Sequence, residues 1–140
     1  MRIFADLCFD YSFLYFFHIE QMDYRIKETL AKIEKGISQH ISIQDLADSV
    51  NVSVPHFQHL FKKNVHISTS KYINDMRLQN ARKLLETSHL RIKEIRLKVG
   101  ATNEAHFIRD FKQKFGQTPT DYRRIFRNKD NEQETTENRQ

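Results

Sequence analysis

The chain repeats itself at a period of about fifty residues. Ile43, Leu46, Val50 and Asn51 recur 49 positions later as Ile92, Ile95, Val99 and Gly100. Ser53, Phe57, Phe61, Lys62, Ser68 and Tyr72 recur 50 positions later as Asn103, Phe107, Phe111, Lys112, Thr118 and Tyr122. One extra residue in the second turn accounts for the shift. Aligned positions that include three aromatic identities and matched cap residues fit poorly with chance among common helix formers. Periods of this size also occur in helical solenoids, but two copies are too few to build one. The fold has to be assembled from two copies of one small unit.

Each copy has the pattern of a short helix, a tight turn and a second helix. In the first, Ser42 can cap a helix carrying Ile43, Leu46, Ala47 and Val50, with Asp45 at its third position, and Asn51 tolerates the left-handed conformation that ends it. Ser53 can cap the next helix, where Pro55 is harmless in the first turn and Phe57, Leu60 and Phe61 share a face. Upstream, Ile26, Leu30, Ile33 and Ile37 fall on one stripe behind a capping Asp23. Between the copies a long helix is predicted over about 69–86, with Tyr72, Ile73, Met76, Leu78, Ala81, Leu84 and Leu85. Three glycines and two prolines in 140 residues agree with an all-α chain with short connections.

Composition narrows the function. Size leaves room for one domain or two very small ones. The single cysteine, Cys8, excludes an intrachain disulfide framework or a Cys-rich zinc module, and its aromatic setting favours an inert thiol. His56 and His59 stand at i and i+3, but no third ligand has a persuasive spacing, so no metal is expected. There is no glycine-rich phosphate loop, nucleophile elbow or paired-carboxylate constellation, so neither an enzyme nor a cofactor is expected. The best apolar run, Tyr11 to Ile19, is flanked by Asp10 and Glu20 and is too short to span a membrane; a signal peptide also fits poorly. A cytoplasmic protein is expected.

The formal charge of +5 is unevenly spread. Residues 22–127 hold 20 of the 23 basic side chains but 11 of the 18 acidic ones, a charge of +9. Such a balance points to a polyanionic partner. Helix, turn and helix form the arrangement that lays its second helix in the major groove of double-stranded DNA. With the phenylalanines inward, the first reader shows Pro55, His56, Gln58, His59, Lys62 and Lys63; the second shows Glu104, His106, Ile108, Arg109 and Lys112. Amide, guanidinium and apolar groups can read base edges, and lysines serve phosphates. A linker helix of about 18 residues is ~27 Å long. With the width of the units it can set two readers near the ~34 Å repeat of the major groove, so that a monomer reads two adjacent turns.

These residues resemble the AraC/XylS regulators of bacteria over roughly 37–127. The resemblance rests on Leu46-Ala47, Ser53, His56-Phe57 and Phe61-Lys62-Lys63; on Tyr72, Arg77, Ala81 and Leu84-Leu85; and on Ile92, Ile95, Val99-Gly100, Phe107, Phe111-Lys112, Phe115-Gly116, Pro119 and Tyr122-Arg123. It implies a seven-helix domain with two helix-turn-helix units (about 42–64 and 91–115) joined by one helix. It also implies binding to promoter DNA and activation of transcription through RNA polymerase. Base contacts would come from Pro55, Gln58 and His59 in the first reader and Glu104, Ala105, Ile108 and Arg109 in the second. Phosphate contacts would come from Ser53, His56, Lys62, Lys63, Arg77, Asn103, Lys112 and Arg123.

Three positions depart from the family pattern: Arg96 for Ala, Ala101 for Phe and His66 for Gly. Arg96 is expected to snorkel out or pair with Glu104 or Asp110, since an unpaired buried charge is costly. Loss of a core phenylalanine at 101 typically costs ~3 to 5 kcal/mol where a cavity is left. The second unit is therefore expected to be the looser, and the first to supply most of the sequence specificity. The same departures sustain an alternative, a module that docks on polymerase or another regulator with weakened DNA binding.

Outside 22–127, residues 1–21 carry seven of the sixteen aromatics and one basic residue. A translation start at Met22, a remnant of a larger protein and a docking segment are all open readings of that stretch. It is too short to form a ligand-binding barrel, so no small-molecule effector site is expected within this chain. The polar tail 128–140 has no apolar residue and is expected to be disordered.

Overall fold

The structure, a computed structural model, describes residues 22–137, with side chains described through 128. Among the described residues are seven α-helices and no strand: α1 (Tyr24–Gly36), α2 (Ile43–Ser49), α3 (Val54–Val65), α4 (Thr69–Thr87), α5 (Ile92–Lys98), α6 (Glu104–Phe115) and α7 (Pro119–Glu137). The readings of residues 1–21 lie outside the described residues.

The chain divides into two compact units. The first takes in residues 22–34 and Ser42–Thr69; the second takes in Lys35–Ile41 and the chain from Ser70 onward. In the first unit α1 begins as its sequence predicts: the Asp23 carboxylate accepts from the Arg25 backbone N–H at 3.0 Å and pairs with its guanidinium at 2.8 Å. The Asp23 N–H donates to Asn64 Oδ1 at 3.1 Å, tying the start of α1 to the end of α3. Ile26, Ile33, Leu46, Ala47, Val50, Phe57 and Phe61 are buried here. The inward face of α1 differs from the apolar stripe in one respect. Thr29, not Leu30, is fully buried, its hydroxyl satisfied by the Arg25 carbonyl at 2.8 Å. A threonine enters the core because its own helix supplies the acceptor.

In the second unit Leu78, Ala81, Leu85, Ile95, Val99, Phe107 and Phe111 form one core, flanked by Leu84, Leu90, Ile92, Ala101, Ile108, Phe115 and Tyr122. Three of the core side chains belong to α4. The predicted linker is thus, from Ser70 onward, a structural part of the second unit. Segment 35–41 belongs there too, because Arg77 on α4 donates from Nε to the Ile37 carbonyl (3.2 Å) and from Nη2 to the Gln39 carbonyl (2.8 Å). Ile37 is buried, as its place on the apolar stripe predicts, but it lies one residue beyond α1.

Helix α7 runs to Glu137, through ten residues whose composition predicts disorder. The polar tail lacks glycine and proline and is rich in Glu and Gln. Such residues cannot build a core, yet they extend a helix already nucleated at Pro119 through local backbone bonds.

Candidate nucleic-acid interface

The two readers are built by the same local chemistry. Ser53 Oγ accepts from the His56 N–H at the start of α3 (3.4 Å), and Asn103 Oδ1 accepts from the His106 N–H at the start of α6 (2.9 Å). The Phe57 and Phe61 rings stand 5.9 Å apart at 49°, and Phe107 and Phe111 stand 6.0 Å apart at 50°. Each reader ends in a left-handed residue, His66 at φ 65° and Gly116 at φ 78°. The turns before the readers also match, with Asn51 at φ 56° and Gly100 at φ 78°. The repeat in the sequence is therefore a repeat in backbone conformation and aromatic packing.

Opposite the phenylalanines, the first reader exposes Pro55, His56, Gln58, His59, Lys62 and Lys63. The second exposes Glu104, Ala105, His106, Arg109 and Lys112. Each helix thus carries its expected polar and basic face outward. Ile108 departs from that picture: it is half-buried and packs against the core of the second unit, so only part of it is available to a ligand. Ser53 and Asn103 are exposed and spend an oxygen on capping.

Two expected phosphate ligands are engaged with backbone carbonyls. Arg77 is committed to the carbonyls of Ile37 and Gln39, and burial holds its pKa below the usual arginine value. Arg123 donates from Nη1 to the Leu90 carbonyl, its Nε and Nη2 are buried, and burial, with Arg127 nearby, lowers its pKa too. Both are structural arginines that fasten chain segments within the second unit. Their place in a familiar motif said nothing about which way they point.

The departures at 96 and 101 meet at one turn. Arg96 is buried at 7% exposure and pairs with neither Glu104 nor Asp110. Its Nη1 donates to the carbonyls of Ala101 (2.8 Å) and Thr102 (2.6 Å), bracing the turn before α6, while Nε finds no partner. Beside Ala101 is an open hollow of about 180 Å³ lined by Ser38, His40, Arg77, Leu97, Gly100 and Thr102. The brace offsets part of the cost expected of Arg96. Ala101, with the hollow beside it, is the departure left uncompensated.

One feature of the second reader escaped the sequence. Asp110 accepts from Arg109 Nε at 3.0 Å and from Asn74 Nδ2 of α4 at 3.0 Å. Adjacent residues on a helix do not normally face each other, so spacing alone gives no signal for this pair.

No group of three or more His, Cys, Asp or Glu able to hold a metal occurs among the described residues. None of the described helices is long and apolar enough to cross a membrane.

Two capped, aromatic-cored helix-turn-helix units with basic outer faces define a tandem helix-turn-helix domain. The family model described as a helix-turn-helix domain matches residues 46–125, which include both reader helices α3 and α6. The transcriptional regulator GbdR of Pseudomonas aeruginosa is 33% identical over 99 residues, 71% of this chain and 27% of its own length. The TetD protein of transposon Tn10 from Escherichia coli is 35% identical over 99 residues, 71% of this chain and 72% of its own length. A Chromobacterium violaceum regulator described by its AraC-type DNA-binding domain has 31% identity and a TM-score of 0.65, over 71% of this chain and 88% of that one. The chain belongs to the AraC-type helix-turn-helix family. It spans about a quarter of the length of GbdR.

Proposed function

We propose that the chain is a sequence-specific regulator of transcription that binds promoter DNA as a monomer, with α3 and α6 in two successive major-groove segments. The observation that carries this reading is the duplicated reader: a side-chain oxygen cap, a phenylalanine pair and a left-handed end in each copy, and outward faces that between them carry amide, imidazole, guanidinium and ammonium groups. Pro55, Gln58, His59, Glu104, Ala105, Arg109 and the available part of Ile108 are the base-reading set. His56, Lys62, Lys63 and Lys112, with the exposed caps Ser53 and Asn103, are the phosphate set. Gln58 suits adenine, Arg109 suits guanine, and Glu104 can accept from the cytosine amino group.

Activation through contact with RNA polymerase is part of this reading, as is action in the cytoplasm, on the nucleoid. No catalytic role or cofactor enters it. The test is duplex binding at rising salt. Several phosphate contacts make log K fall linearly with log salt, and Lys62→Ala and Lys112→Ala each reduce the slope by about 1. Binding with no salt dependence, or none to duplex, would point instead to a module that docks on another protein.

A further inference from the structure

Resting on the reading of Arg109 as a base contact, we infer that Asp110 and Asn74 form a splint that presets the Arg109 guanidinium for guanine. Arg109 Nε donates to Asp110 Oδ1, and Nη2 lies 3.0 Å from the same oxygen. The other carboxylate oxygen, Oδ2, accepts from Asn74 Nδ2 at 3.0 Å. Asp110 is thereby gripped from two sides, one of them the neighbouring helix α4.

Exposure grades along this relay as positioning requires. The Arg109 side chain is 66% exposed and that of Asp110 is 23% exposed. The cation reaches solvent, while its carboxylate partner is fixed by the scaffold. A guanidinium has five N–H donors in one plane. The edge formed by Nε and one Nη2 hydrogen faces the carboxylate, which leaves Nη1 and the outer Nη2 hydrogen as a free pair. That pair matches guanine O6 and N7 approached end-on. A long side chain otherwise free to reach a phosphate is held as a planar reader, and less rotamer entropy is lost on binding. The Asp110 charge also offsets attraction to the DNA backbone, which disfavours wrong sequences along with right ones. Asp110 and Asn74 are positioning residues; neither needs to touch DNA.

The experiment is selection of bound duplexes from a random pool with the full chain, followed by affinity measurements on the selected site and on a scrambled duplex. Arg109→Ala is expected to relax one guanine preference by roughly 5- to 150-fold, the range of a bidentate pair. Asp110→Asn is expected to relax the same preference while binding the scrambled duplex as tightly as the parent or more tightly. Asn74→Ala, which leaves the Asp110 charge in place, relaxes it in part without strengthening scrambled binding. Loss of fold cannot imitate this, since it weakens both duplexes, and thermal unfolding of each variant checks it. If Arg109→Ala relaxes the preference but Asp110→Asn and Asn74→Ala keep it in full, the splint is overturned and the base contact stands. If Arg109→Ala changes no preference, the base contact itself fails and the splint with it.

Discussion

His66 and Gly116 occupy the same place in the two copies, and both adopt the left-handed conformation. A side chain there costs ~1 to 2 kcal/mol, part of which glycine returns through its freer unfolded state. His66→Gly should therefore stabilise the first unit by about 0.5 to 1 kcal/mol, measured by urea denaturation. Gly100 runs the other way. A Cβ there meets the Ile37 carbonyl oxygen at 2.8 Å at φ +78°, and the obstacle is backbone that cannot swing aside. Gly100→Ala should destabilise by roughly 2 kcal/mol or more, read in the same assay. Both positions were visible in the sequence, through the repeat and the family pattern. What was not visible was direction. Arg77, Arg96 and Arg123 turn to backbone carbonyls, and no pattern of residue types distinguishes an arginine that fastens a segment from one that meets a phosphate.

At the level of helices, the aromatic pairs carry each unit. Phe111 also meets Phe115 at 4.6 Å and Tyr122 at 5.8 Å, and the Arg82 guanidinium lies 5.6 Å from the Phe115 ring. Deleting Phe61 or Phe111 to Ala should cost about 3 to 5 kcal/mol. Tyr122 donates its hydroxyl to Glu86. Burial first, and that hydrogen bond second, raise its pKa above the ordinary 10.0. The folded chain then binds more proton than the unfolded chain in the alkaline range. This contribution is fully present below about pH 10 and is lost as pH rises through the folded value. Tyr122→Phe should flatten the alkaline limb of a urea-midpoint against pH curve. Helix periods and caps were legible because they are local. The role of α4 was less so: Leu78, Ala81 and Leu85 were predicted on a linker, but their membership in the second core depends on packing across distant sequence.

For the whole molecule, part of the +9 carried by residues 22–127 falls on the outward faces of two matched helices. Duplication is what distinguishes the chain from a merely basic protein, since one chain carrying two readers needs no palindromic site. Random-pool selection by the parent chain, by Gln58→Ala and by Arg109→Ala tests that most directly. A non-palindromic motif spanning about two helical turns is expected, with each variant losing base preference in a different half. A motif confined to one turn, or identical changes from the two variants, would contradict it.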